Sequence, residues 1–454
     1  MNTECQTFPL AISPFRFCAI IVLCAGLIYI LPNPGFDELS AVGYSLLVVT
    51  TVWVLLVPFL FRNRAGWFLY RQISCLLALK LILSTAYFYF LFLPVTGFKF
   101  LNRTTGAPSI DVLAIHTSAV IFLQQLRAHG TYTALFGEYY RSFNNPGVAV
   151  FYGLLYKTFG AYPGVAIPWN VLWMGLAGLI VASLCHQLSY PSATTKLCVY
   201  LTLLMPSFLV LNPLYRDQLM LLLILLIVYG SATLLQKNSL LTMIAISLAS
   251  ALLTSLRLSF LAFLAVTMTA YSLSTGITRW WRVAIFGTFG IGIIFVLAHF
   301  FGLMATMSAS EHFGADFHSK AHLLFGNNPF SNLIFVLLTP FPWYQDPGAG
   351  LLVYQFMDYP QVFLGLCILS AAAIGIREIM QAPLSRFLAL TFFLYLLIAS
   401  VSSGLHQRYV QIAMPLMIIP AGHMLVTKWR QCIGISAVII IYAHVLYEVV
   451  CSIF

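Results

Sequence analysis

Apolar runs of about 17–25 residues recur along almost the whole chain, each long enough to cross a hydrocarbon core of roughly 30 Å. A backbone in lipid must satisfy its own polar groups, so such runs predict helices. With 61% of residues hydrophobic and only 7% charged, the expected fold is an all-α polytopic membrane protein. The few charges then carry the topology. Arg62, Arg64 and Arg71 bracket one short loop, Lys237 lies in another, and Arg279/Arg282, Arg377/Arg386 and Lys428/Arg430 mark three more. The positive-inside rule places these loops in the cytoplasm.

Spans are expected over 15–32, 43–61, 73–95, 163–184, 196–211, 216–235, 239–256, 258–275, 283–303, 353–375, 386–402, 409–426 and 432–452. That makes about thirteen transmembrane helices. Two apolar stretches stay outside the count: 147–161 is short and carries Lys157, and 325–343 is broken by Pro329, Pro340 and Pro342. Counting either as a full span would invert every loop beyond it, so both are expected to be re-entrant or interfacial. Asp37, Glu38, Asp111, Glu138, Asp217, Glu311, Asp316, Asp346, Asp358 and Glu448 then fall on or near the outer side, and only Glu4 and Glu378 inside. The net charge of +10 is a topology signal, and no nucleic-acid partner is expected.

Continuous spans with short loops predict one integral membrane domain over 1–454. It comprises two extra N-terminal helices in 1–72, a core in 73–275 built around outer loop 96–146, and C-terminal helices in 276–454 around a second outer loop at 304–349. The first apolar run lacks a charged n-region and cleavage pattern and is expected to be a retained helix. Nine cysteines are scattered with no CxxC pair, which suits packing better than metal binding. Neither a Walker loop nor a GxGxxG turn after a strand occurs, so ATP-driven chemistry within this chain is not expected.

The outer loop 96–146 holds Asp111 and His116 at the start of an amphipathic stretch reaching about Leu126. Gly130, Glu138-Tyr139-Tyr140-Arg141 and Asn144-Asn145-Pro146-Gly147 follow. A carboxylate on a helix lying along the interface can act as general base, or order an acceptor hydroxyl or a cation, at the depth of a lipid head group. Further along, Arg216-Asp217 separates two apolar runs with almost no loop, Arg257 interrupts a hairpin of apolar helices, and Arg408 lies beside His406. Charges at such depths are costly unless paired or hydrated. Arg216 either ends its helix in a local ion pair with Asp217 or grips a phosphate oxygen in fork geometry; Arg257 either snorkels or joins the same anion site.

The second outer segment carries Glu311, His312, Asp316, His318, Lys320 and His322, then Trp343-Tyr344. No HExxH-type pair is present, so no metal site is assigned, while a divalent cation stays open. Trp343 and Tyr344 suit either a lid that stacks on sugar faces or an interface anchor.

The order of outer loop with an early Asp, amphipathic helix, and then Asn145-Pro146-Gly147 leading into Leu154-Leu155-Tyr156-Lys157-Thr158-Phe159-Gly160 resembles the GT-C superfamily of membrane glycosyltransferases, which includes protein O-mannosyltransferases and the aminoarabinose transferases of lipid A. Met205-Pro206-Ser207, Arg216-Asp217 and Gln407-Arg408-Tyr409 with Pro415 extend the likeness over about 100–420.

The resemblance implies a GT-C-like fold and sugar transfer from a polyprenyl-phosphate or polyprenyl-diphosphate donor. The acceptor would be a lipid, glycan or protein of the cell envelope, on the periplasmic face of a bacterial inner membrane. In those terms Asp111 is the catalytic carboxylate, Glu138 a second one, and Arg216, Asp217, Arg257 and Arg408 the donor-phosphate set. His116, Asn145, Trp343 and Tyr344 serve the acceptor or a lid. The family often shows an adjacent Asp-Glu pair. Here Asp111 precedes Val112, whereas Asp37-Glu38 forms such a pair with no room after it for amphipathic helices, which favours Asp111. An O-antigen-type polymerase is a close variant, and a lipid or solute transporter the alternative from another class.

Overall fold

The computed structural model describes residues 12–60, 64–92, 110–136, 146–205, 217–236, 239–256, 261–275, 352–402, 410 and 412–453. Among them the regular structure is helical and no strand occurs. In chain order the helices are α1 Pro14–Ile30, α2 Glu38–Leu55, α3 Arg64–Ala86 (continued by a π turn, Tyr87–Phe92), α4 Ile110–Phe136 and α5 Pro146–Phe159. There follow α6 Ala166–Gln187, α7 Ser192–Leu203, α8 Asp217–Gln236, α9 Leu240–Leu256 and α10 Leu261–Thr275. The last group is α11 Leu352–Ile374, α12 Ile376–Gln381, α13 Pro383–Ser402, α14 Pro415–Thr427 and α15 Trp429–Ile453.

Four of these stretches are long and apolar enough to cross a membrane: Glu38–Leu55, Trp67–Phe90, Pro163–Gln187 and Asp217–Leu234. The pair Pro415–Thr427 and Trp429–Ala443, bent by 111°, makes up to five if it counts as one span. The chain is thus a helical integral membrane protein, but the expected count of about thirteen spans is not reached among the described residues. Every expected span within them overlaps a helix, and what differs is length. α1 and α9 have 17 residues each, about 25 Å at 1.5 Å per residue, short of a full core. α7 has 12 residues and stops before Pro206, which offers no N–H to continue the ladder. The expected span 283–303 and the stretch 325–343 lie outside the described residues.

α6 is the axis of the bundle. From Ala166 to Cys185 all its residues are buried, the all-round apolar character of a helix enclosed by protein. α2 runs alongside it: the Ser45 hydroxyl donates to the Val165 carbonyl at 2.7 Å, and Trp53 comes up to Gly175 farther along. α3 runs the opposite way, with Tyr89 beside Gly164 and Leu77 beside Gly175. α8 is parallel to α6 at a fixed register. Gln187 Nε2 donates to Thr233 Oγ1 at 3.3 Å, and the Tyr229 hydroxyl lies near Ser183.

These contacts define two ends of the bundle. The upper end holds Ile30, Glu38, Tyr89 and Pro163; the lower end holds Ile12, Leu55, Gln187 and Gln236. α14 is antiparallel to α7, with Gly422 against Thr194 and the Cys198 thiol on the Ile418 carbonyl at 3.6 Å. α10 and α13 are antiparallel too, through Phe263 with Tyr395 at 5.8 Å and Tyr271 with Phe387 at 6.2 Å between ring centroids.

Followed through these pairings, Arg16, Arg71, Lys196, Arg377, Arg386, Lys428 and Arg430 all fall towards the lower end. Asp37, Glu38 and Asp217 fall towards the upper end. Of the basic residues that the sequence placed on one side of a membrane, Arg71, Arg377, Arg386, Lys428 and Arg430 are therefore on one side of the bundle, while Arg62, Lys237, Arg279 and Arg282 lie outside the described residues.

Candidate functional site

α4 and α5 form an antiparallel pair across the upper end. Ile115, Ala119, Phe122, Leu123 and Leu126 of α4 are buried or partly buried, whereas Thr117, Gln124 and Arg127 are exposed. That is helical spacing for one covered face. The covered face meets α5: Phe122 and the Ala119 carbonyl lie against Gly153, and His116 Nδ1 is hydrogen-bonded to the Tyr156 hydroxyl at 2.9 Å. Burial holds the His116 imidazole below its ordinary value and pushes the Tyr156 phenol well above its own, so the pair is neutral. At Gly130 the backbone takes φ 76°, and α4 kinks there. This left-handed conformation suits glycine.

α5 has 14 residues, about 21 Å, too short to span. Its first turn packs on the end of α9, where Gly147 faces Ser255. Its last turn is tied to the upper end of α1: Lys157 Nζ donates to the Tyr29 carbonyl at 2.8 Å, and the Thr158 hydroxyl donates to the Ile28 carbonyl. Beneath it lie Trp169 and Trp173 of α6, with Phe159 against the first at 6.2 Å and Phe151 against the second at 6.3 Å.

Of the residues singled out from sequence, Asp111 lies in the first turn of α4, on the side of His116 that runs towards the C-terminal end of α5. Asp217 opens α8 and is 6% exposed, where the helix N-terminus favours negative charge. Glu138, Asn145, Arg216, Arg257, Arg408, Trp343 and Tyr344 lie outside the described residues. Asp217 and Leu256 themselves lie at the upper ends of α8 and α9. The start of α4 and the end of α9 do not meet. Gly147 and Tyr156 alone are separated by about 14 Å of helix, so one ligand touching both regions must lie along α5. The rival pair Asp37-Glu38 opens α2, and there Glu38 Oε1 accepts a hydrogen bond from the Tyr89 hydroxyl at 3.2 Å. Among the described residues no group of three or more His, Cys, Asp or Glu could hold a metal.

Sequence reasoning missed Lys80. It sits inside an expected span, a signal that was legible, since an ionisable residue there needs a reason. Lys80 is 1% exposed, and its ammonium donates to the Leu203 carbonyl at 3.3 Å. This carbonyl belongs to the last turn of α7, where helix geometry leaves acceptors without partners and partial negative charge accumulates. Lys80→Glu would set a carboxylate among those carbonyls and is expected to destabilise the fold by about 3–5 kcal/mol, the scale of an uncompensated buried charge. Lower recovery and earlier thermal unfolding than Lys80→Arg would show it; equal melting of the two variants would refute the capping role.

The chain matches no protein-family model, no curated protein and no solved structure.

Proposed function

We propose that the chain is a membrane glycosyltransferase that moves a sugar from a polyprenyl-phosphate or polyprenyl-diphosphate donor to a cell-envelope acceptor, working at the outer face of a bacterial-type inner membrane. One observation carries the reading: the amphipathic α4–α5 pair, with Asp111 in its first turn, covers the bundle end opposite the one where basic residues collect. That is where a donor with its chain in lipid and its head at the interface would be met.

In the proposed reaction Asp111 accepts the proton of an acceptor hydroxyl or amine whose lone pair attacks the anomeric carbon. The bond from that carbon to the phosphate oxygen breaks, and the polyprenyl phosphate or diphosphate leaves with the electron pair. Arg216, with Arg257 or Arg408, stabilises the leaving charge, and Asp217 orients Arg216. Glu138 is the second carboxylate. His116 and Asn145 sit on the acceptor side, and Trp343 and Tyr344 act as lid. An O-antigen-type polymerase would use the same chemistry. One observation favours a transporter instead, the buried cation Lys80 inside a candidate span.

The reading is tested by sugar transfer from a lipid-linked donor pool in membranes containing the chain, against membranes lacking it. Within that assay Arg216→Lys and Arg216→Ala are both expected to lower transfer by about 10²-fold, because a lysine cannot reproduce the two-pronged contact. Unchanged transfer in Arg216→Lys would remove the bidentate role.

A further inference from the structure

The upper part of the α6–α8 seam holds buried polar groups that have no hydrogen-bond partner among the described residues. Trp169, Trp173, Ser183 and Gln187 fall on one stripe of α6, since 169 and 187 are five full turns apart and 173 and 183 lie close to the same line. Gln218, Tyr229 and Thr233 share a stripe of α8. The two stripes face each other, because Ser183 meets Tyr229 and Gln187 meets Thr233. That register puts Gln218 opposite Leu172, between the levels of Trp169 and Trp173. All three are buried, at 0% exposure for Trp169 and Gln218 and 2% for Trp173. Neither indole N–H, nor either end of the Gln218 amide, has a hydrogen-bond partner among the described residues.

Lower in the seam Gln187 Nε2 finds Thr233 although its Oε1 stays unpartnered, whereas in the upper part none of these four polar atoms has a partner among the described residues. Buried polar groups left in this way are costly and rare, and they call for an explanation at each site. The chemistry of the set selects its ligand. Two indoles can only donate, whereas the amide both donates and accepts. A phosphate accepts only and would leave Gln218 Oε1 unmet; a sugar's hydroxyls donate and accept and can meet all of them. The two indoles lie under α5, where the rings of Phe151 and Phe159 pack on them, and Gln218 follows Asp217 in the first turn of α8.

We infer that the top of the α6–α8 seam, formed by Trp169, Trp173 and Gln218, is the subsite for the sugar of the lipid-linked donor. It becomes reachable when the two phenylalanine rings of α5 move aside. This rests on the glycosyl-transfer reading and adds to it the residues that read the sugar. Trp→Phe keeps an aromatic ring and deletes the donor, and Gln218→Leu deletes the amide at similar volume.

The experiment measures thermal unfolding of the purified full chain in detergent with short-chain prenyl phosphate, either bare or carrying a hexose, an N-acetylhexosamine or a pentose. Wild type is expected to melt higher with at least one glycosylated lipid than with the bare one. In Trp173→Phe and in Gln218→Leu, each shown to unfold cooperatively, that extra rise disappears while the rise from bare prenyl phosphate remains. Two results overturn the subsite and leave the transferase reading standing: a sugar-dependent rise that survives in both variants, as trapped water or mere packing would give, or equal rises from bare and glycosylated lipid in wild type. If neither kind of lipid shifts wild type, the subsite and the transferase reading fall together.

Discussion

Asp111→Asn is expected to lower sugar transfer by about 10²–10⁴-fold, the range lost with a general base, while the protein folds and inserts as before. The reason is geometric as well as chemical. Asp111 lies in the first turn of α4, at the end of a helix whose covered face is already fixed on α5 by Phe122 against Gly153 and by the His116–Tyr156 hydrogen bond. Asparagine keeps the shape of the side chain and its place in a helical first turn but cannot take the acceptor's proton. Comparing initial rates at equal membrane content checks this. Full activity in the variant would move the base to Asp37-Glu38 or to Asp217.

Gly147→Val should have the largest effect on folding of any change at this end. A Cβ at Gly147 would lie 2.7 Å from the backbone carbon and oxygen of Ser255, and a backbone at the end of α9 cannot swing away as a side-chain tip can. Valine also adds two methyl groups to that collision. The expected cost is about 3 kcal/mol, the upper part of the range for overpacking, and α5 would be levered off the end of α9. Gly26→Ala in α1 is the control, since nothing lies within 4 Å of a Cβ there. Thermal unfolding of the two variants beside wild type gives the answer, and a Gly147→Val that melts with wild type would mean that α5 does not sit on α9.

Much of the fold was readable because it depends on local pattern. The apolar runs at 163–184 and 216–235 became α6 and α8, and the short stretch 147–161 with its Lys157 became a non-spanning helix, α5. The alternation of basic loops also indicated which helix ends lie together: Arg71, Arg377, Arg386 and Lys428 reach the same end through pairings among different helices. Helix length was harder to read. Apolar character continues past Leu203, so a run to 211 looked plausible, but Pro206 marks where the ladder can no longer continue. α4 was expected to reach about Leu126 and instead continues to Phe136 across a kink at Gly130.

The candidate site was less legible. His116 was singled out by position, yet its partner is a tyrosine 40 residues away whose face is set by how α4 lies on α5. Trp169, Trp173 and Gln218 gave no local signal at all. A tryptophan in an apolar helix looks like core, and only the register between α6 and α8 brings these indoles and this amide to one level, without hydrogen-bond partners among the described residues. Lys80 is the opposite case, since a charge inside an expected span was visible in the sequence and asked for a partner.

The most direct test of glycosyl transfer uses the purified chain in liposomes that hold a polyprenyl-linked sugar donor and an envelope acceptor. Sugar arriving on the acceptor and passage of the donor between leaflets are followed in the same vesicles. The account predicts transfer that depends on Asp111, with donor crossing no faster than in empty vesicles. Accelerated crossing with no sugar transferred would contradict it and make the chain a transporter of the lipid.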